Sequence, residues 1–187
     1  MKNIFCILSI LSFFTACNTA SDNLNKKIGS PKPPKNVVYS NTDTKKVDLT
    51  NDAWSKLLPK DVYEIARNKG TERAFSGKYN NHKEVGTYYC AICGNALFNS
   101  NGKFESSCGW PSFFEPTTKG SIIFAADTTH GMNRTEVMCG RCRSHLGHVF
   151  NDGPPPTGLR YCINSVILDF TKAGNAAKNY KDSVAGK

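Results

Sequence analysis

Apolar positions fall into three regimes along the chain. The first is a nearly unbroken run from Ile4 to Phe14 within MKNIFCILSILSFFTAC, behind a single Lys. About 11 apolar residues are too few for a helix to cross a bilayer core of roughly 30 Å, so residues 1–17 read as an export signal. Residues 18–50 are rich in Asn, Ser, Thr, Lys and Pro and show no apolar period. They offer too little apolar surface to offset the entropy of ordering and read as a disordered tether. The third regime, residues 51–172, carries the periodic patterns of a folded domain. Residues 173–187 are again polar and Lys-rich and read as a disordered tail.

Within 51–172 the period changes once. Asn51 or Asp52 is placed to cap a turn holding Trp54, Leu57 and Leu58. LPKDVYEIARNKG (58–70) then has Pro59 and Asp61 at its start, a Val62/Ile65/Ala66 stripe, and Gly70 as its stop. From Thr87 onward the apolar residues come in short β-branched and aromatic runs separated by Gly, Pro and Asn: TYYCAIC, KFESS, SIIFAAD, RTEVMCG, HLGHVF and LRYCINSVILDF. No helical pattern of 10–15 residues lies between them to support parallel crossovers, so the spacing predicts a mainly β, antiparallel domain behind two short helices.

Charge changes this picture little. The net charge of +9 invites a nucleic-acid reading, but residues 1–50 hold seven Lys against three Asp, and residues 171–187 four Lys against one Asp. Only +2 is left for residues 51–170, which argues against a phosphate-binding face on the domain.

Cysteine changes it more. Of eight cysteines, Cys6 and Cys17 belong to the leader, Cys90/Cys93 and Cys139/Cys142 form two C-x-x-C knuckles, and Cys108 and Cys162 stand alone. Two knuckles supply four thiolates, the complement of a closed tetrahedral Zn²⁺ site with no open position, so the expected cofactor is a structural zinc joining two distant parts of one domain. Structural disulfides, or a redox dithiol in either pair, are the alternatives for an exported chain.

Cys162 lies in TGLRYCINSV. Strand alternation puts Leu159, Tyr161 and Ile163 on one face and Arg160, Cys162 and Asn164 on the other. A thiol between a guanidinium and an amide is placed as a reactive thiolate rather than an inert core residue. The apolar phase then shifts to Val166, Leu168 and Phe170, which predicts a bulge or a change of cover near Ser165. Cys108, in SSCGWPSF, is on a turn beside Trp110; with four cysteines given to metal, Cys108 and Cys162 are free for a disulfide, either permanent or one that forms and breaks. His145 and His148 in SHLGHVF suit proton transfer better than metal binding, because imidazoles titrate near neutral pH. Alternation puts them on opposite faces unless Gly147 kinks the strand.

The blocks KGTERAFSGKY, GTYYCAICGNALF, KFESSCGWPSF, HGMNRTEV and CGRCRSHLGHVFNDGPPPTGLRYCINS resemble the successive motifs of the B-type methionine sulfoxide reductases, the peptide-methionine (R)-S-oxide reductases. The resemblance runs from about Leu57 to Phe170 and excludes leader, tether and tail. Arg143 departs from it, standing where the family has a small or acidic residue; as the neighbour of a ligand it affects surface charge more than chemistry. The resemblance implies a fold of two small antiparallel sheets, tent-like, with zinc on Cys90, Cys93, Cys139 and Cys142. It implies that Cys162 attacks the sulfoxide sulfur and becomes a sulfenic acid, and that Cys108 condenses with it to a disulfide reduced by thioredoxin or a similar dithiol. It also implies that His145 and His148 supply the proton, His148 foremost, that Trp110 holds the S-methyl group, and that Arg160 and Asn164 position substrate. The implied substrates are oxidised proteins or peptides bearing methionine-R-sulfoxide, handled by a monomer without nucleic acid.

FTAC similarly resembles the end of a bacterial lipoprotein signal, with Phe14 in place of the usual Leu. That resemblance implies acylation of Cys17 and a protein held to a membrane by lipid alone, facing the periplasm or cell exterior. Two other classes compete: a zinc-stapled nucleic-acid module using the basic tails, and a thiol-disulfide exchanger acting through one C-x-x-C.

Overall fold

Both helix signals are obeyed, with their caps displaced by one residue. In the computed structural model, which describes residues 36–174, α1 spans Asn51–Leu57 and is capped by Thr50, whose Oγ1 accepts from the Ala53 N–H at 3.3 Å, rather than by Asn51 or Asp52. The second helix, α2, spans Lys60–Asn68 and buries Ile65 and Ala66. Its left-handed residue is Lys69 (φ 59°), not Gly70. Gly70 is needed for close approach instead: its N–H reaches the Glu64 carbonyl at 3.1 Å, and a Cβ there would lie 3.2 Å from that oxygen. Among the described residues no helix is long and apolar enough to cross a membrane.

The described strands are β1 Gly86–Cys90, β2 Ala96–Asn99, β3 Lys103–Phe104, β4 Ser112–Phe113, β5 Ile122–Asp127, β6 Arg134–Cys139, β7 His145–Phe150, β8 Arg160–Ile163 and β9 Leu168–Lys172. They make two antiparallel sheets, one in the order β2-β1-β9 and one in the order β3-β4-β8-β7-β6-β5. Aromatic and aliphatic side chains fill the core between them: Tyr88, Leu97 and Phe98 from the smaller sheet, and Phe113, Val137, Leu146 and Ile163 from the larger, with Trp54 of α1 also fully buried. Phe98 and Phe113 stack across the two sheets with centroids 4.3 Å apart and planes 14° from parallel.

LRYCINSVILDF, one run in the sequence, serves both sheets. Strand β8 ends at Ile163, a 3₁₀ turn over Ser165–Ile167 intervenes, and β9 begins at Leu168 in the other sheet. The phase shift expected near Ser165 is this change of sheet. Glu72 fixes the turn by accepting the N–H groups of Ser165 and Val166 at 2.6 and 3.0 Å.

Composition places residues 36–50 in the tether, yet they lie along the domain over both knuckles. Tyr39 donates to Asp169 Oδ2 at 2.8 Å, and the Ser40 N–H reaches the Cys93 carbonyl at 3.0 Å. Arg141, inside the second knuckle and only 4% exposed, donates to the carbonyls of Val38, Ser40, Lys45 and Cys93 and to Asp43 Oδ2. A buried guanidinium must find oxygen for its donors, and this polar segment supplies it; an apolar-pattern reading overlooks such a segment because its adhesion comes from carbonyls. Arg141→Ala is therefore expected to release residues 36–47. The lost carbonyl bonds correspond to about 2–4 kcal/mol, and limited trypsin digestion should show new, fast cleavage at Lys45 and Lys46. Unchanged cleavage would disprove the clasp. The expected signal, Cys6, Cys17 and residues 175–187 lie outside the described residues.

Candidate active site

The two knuckles meet at the ends of β1 and β6, one strand from each sheet. Cys90 ends β1, Cys93 follows in the turn to β2, Cys139 ends β6 and Cys142 lies in the turn to β7. All four are buried, and their sulfurs lie within 4.8 Å of one another, with Cys90 to Cys142 at 3.8 Å and Cys93 to Cys139 at 3.6 Å. A tetrahedron of sulfurs about 2.3 Å from a central ion has edges of about 3.8 Å, so this group fits a four-coordinate metal ion. Donors face Cys139 as such a site requires, the Arg141 N–H and the Asn95 amide at 3.4 and 3.6 Å, and Cys142 lies 3.2 Å from the Ser144 hydroxyl. The group closes the β6–β7 turn three residues ahead of His145.

Strand β8 carries Cys162 as alternation predicted: Tyr161 and Ile163 are buried in the core, while Arg160 and Cys162 are half-buried on the other face. Its neighbour β4 presents Ser112 directly opposite Cys162, and the preceding turn brings Cys108 Sγ to 3.2 Å from Cys162 Sγ. Hydroxyls of Ser106 and Ser112 lie 3.0 and 3.3 Å from Cys108. These two thiols titrate as a unit. A hydrogen bond from Cys162, together with those hydroxyls and against the effect of burial, pushes Cys108 down to about 4, and the same contact with burial pushes Cys162 up. The contact thus favours a negative charge on Cys108 and keeps the proton on Cys162. Arg160 opposes the upward push on Cys162 by favouring the anion there.

Gly147 is the kink that makes the histidines neighbours. The β6–β7 register slips between Val137 and Met138, inserting one extra residue in β7, and a Cβ on Gly147 would lie 2.0 Å from the Cys162 carbonyl. His145 and His148 consequently approach with ring centroids 5.4 Å apart. Their surroundings differ. His148 stands directly opposite Cys162 in the β7–β8 register and, with Trp110, Cys162, Thr71, Arg134 and Asn164, lines an open cavity of about 120 Å³. His145 is buried beneath, its Nδ1 2.8 Å from Glu136 Oε1, and burial pushes its pKa down against that carboxylate.

The remaining expected site residues are placed as follows. Trp110 lines the cavity and donates from Nε1 to the Glu72 carbonyl at 3.2 Å. Asn164 reaches the cavity wall, but its amide is committed inward: Oδ1 accepts from the Glu72 N–H at 3.0 Å and Nδ2 donates to the Leu146 carbonyl at 3.0 Å. Arg160 forms a two-pronged pair with Asp152 at 2.8 and 2.9 Å and packs over the Phe150 ring at 4.5 Å. Arg143 is exposed, with φ 59°, as expected of a residue affecting surface charge.

Sequence reading missed Glu72, Asp127, Arg134, Glu136 and Asp152. Glu72 ties together Trp110, Asn164 and the turn after β8, and burial raises its pKa against two backbone hydrogen bonds. Nothing in KGTERAFSG distinguishes it from a surface acid. Asp127 and Glu136 sit in strands where one acid per strand reads as solvent-facing polarity; only the fold points each at a histidine.

Comparison with known proteins agrees with this geometry. Residues 58–172 match the SelR domain. A peptide methionine sulfoxide reductase MsrB of Pseudomonas putida (strain W619) is 58% identical over 125 residues, covering 67% of this chain and 94% of the relative. The proteins of the same name from Pseudomonas entomophila (strain L48) and Pseudomonas fluorescens (strain Pf-5) are 57% and 56% identical over 124 residues, each covering 66% of this chain and 95% of the relative. With more than half of its length matched to that domain and such relatives covered almost end to end, the chain belongs to the SelR family of peptide methionine sulfoxide reductases.

Proposed function

We propose that this protein reduces methionine-R-sulfoxide in oxidised proteins and peptides through a Cys162 sulfenic acid and a Cys108–Cys162 disulfide. The observation that carries the reading is the 3.2 Å approach of Cys108 Sγ to Cys162 Sγ, where Cys162 lines a cavity together with Trp110 and His148. Cys162 hands its proton across the 3.2 Å contact to Cys108, its thiolate attacks the sulfoxide sulfur while His148 protonates the oxygen, the hydroxyl passes to Cys162, and the thioether departs. Sulfoxide sulfur gains two electrons and Cys162 sulfur loses them. Cys108 then attacks the sulfenic sulfur, a protonated hydroxyl leaves as water, and thioredoxin or a similar dithiol reduces the resulting disulfide while becoming a disulfide itself. The indole of Trp110 offers an apolar, electron-rich face to the S-methyl group and the partly positive sulfur.

Zinc is the metal we assign to Cys90, Cys93, Cys139 and Cys142, as a structural ion holding the two sheets together. We further propose that residues 1–17 direct export, that Cys17 is acylated, and that the domain works as a monomer tethered by lipid outside the cytoplasm.

The test is turnover of a peptide carrying either sulfoxide epimer with a thioredoxin-type reductant. Reduction of R and not S is expected. Cys108→Ser is expected to complete one turnover at near the original rate, then stall as a sulfenic acid that dimedone traps on Cys162, with reductant-driven cycling down at least about tenfold. Full cycling by Cys108→Ser, or reduction of the S epimer alone, would refute this reading.

A further inference from the structure

We infer that Asp127 is the positioning residue that fixes which nitrogen of His148 faces the cavity; the inference rests on the reading of that cavity as the sulfoxide site. Which ring nitrogen carries the proton in a neutral imidazole is set by the partner of the other. His148 Nε2 lies 2.6 Å from Asp127 Oδ2 at the end of β5. That carboxyl is buried, 8% exposed, and held from several sides: the Thr129 hydroxyl and N–H reach Oδ1 at 2.6 and 3.0 Å, and Arg134 Nη2 reaches Oδ2 at 2.6 Å. The Thr129 hydroxyl first, then His148 and the Thr129 N–H, keep it well below the usual carboxylate range, so Asp127 is an anion and can only accept. Nε2 must therefore donate, and Nδ1 is the nitrogen left for substrate.

A second proton on His148 enters at Nδ1 while Nε2–H stays on a fixed carboxylate. The imidazolium that forms is stabilised where it forms and pointed at the oxygen it must protonate, the relation of carboxylate to histidine in hydrolytic triads. His145 is held the opposite way round, by Nδ1 on Glu136, whose other oxygen takes Lys69 Nζ at 2.7 Å. Glu136 is directly opposite His148 in the β6–β7 register, yet both of its oxygens are committed to Lys69 and His145. The two carboxylates thus divide the two histidines: Asp127 serves the one that lines the cavity, and Glu136 the one beneath it.

The direct test is ¹H–¹⁵N long-range correlation of the imidazoles in the full folded chain above neutral pH. In the unmutated protein His148 is expected as the Nε2–H tautomer; an Nδ1–H tautomer overturns the inference whether or not any variant folds. In Asp127→Asn, whose amide can donate as well as accept, that preference is expected to be lost. Single-turnover kcat for R-sulfoxide should then fall by about 10²-fold, with KM changed by less than about threefold. Asp127→Glu should recover part of kcat. In a His148→Asn background, Asp127→Asn should cost less than about threefold more. An equal loss in both backgrounds would mark Asp127 as structural only and refute the assignment. If the unmutated protein reduces neither epimer, the proposed function falls, and the tautomer measurement still decides the role of Asp127.

Discussion

Cys162→Ser is expected to lower R-sulfoxide reduction on the order of 10³-fold or more while leaving the melting temperature within a few degrees. A serine hydroxyl at ordinary pKa is a far weaker nucleophile than a thiolate and has no sulfenic acid state, so the electrons for reduction have no donor. The fold should tolerate the change, because the residues that seat β8 in the core are Tyr161 and Ile163, on the opposite face. The variant also separates this protein from a dithiol exchanger working through a C-x-x-C, for which Cys162 would be dispensable. Peptide turnover followed by mass spectrometry, with circular dichroism as the folding control, decides the matter. Residual turnover within tenfold of the parent would remove Cys162 from the reaction.

Cys139→Ser should produce the largest loss of stability. Cys139 is buried, 3.6 Å from Cys93, and its sulfur faces the Arg141 N–H and the Asn95 amide, all arranged for a negative sulfur. Taking one thiolate from a closed four-sulfur site removes most of the metal's contribution, on the order of 5 kcal/mol or more. For a domain of this size that is a fall of roughly 10–20 °C in Tm. Metal analysis should find one zinc per chain in the parent and a substoichiometric amount in the variant. Reduction should fall as well, since the metal site closes the turn that sets His145 and His148 on β7. A parent that binds no metal, with a variant equally stable, would remove the metal centre from the account.

Legibility of the site depended on the kind of interaction that made it. Residues whose placement follows from local geometry were readable: alternation put Cys162 on the polar face of β8, and the duplicated spacing of Cys90/Cys93 and Cys139/Cys142 gave a group that fits a metal ion, whereas alternation alone set the two histidines on opposite faces and left a kink at Gly147 as the alternative. Residues that act across sequence gaps were not. Glu72 holds Ser165 and Val166 from more than 90 positions away, and Asp127 meets His148 across 21. An acid in a loop or at a strand end has the same local signature whether it faces water or a buried histidine.

Residues 36–50 show the same limit from the other side. Their composition is that of a solvated linker, and only the buried donors of Arg141 give their carbonyls something to hold. The elements, the grouping of four cysteines that fits a metal ion, and the family were legible in the chain alone, because each is written in spacing, period or motif. That one apolar run serves two sheets, and which carboxylate holds each histidine, came from the folded arrangement. Those depend on strand register and sheet order, which bring distant polar groups within hydrogen-bond reach and have no periodic trace in the chain.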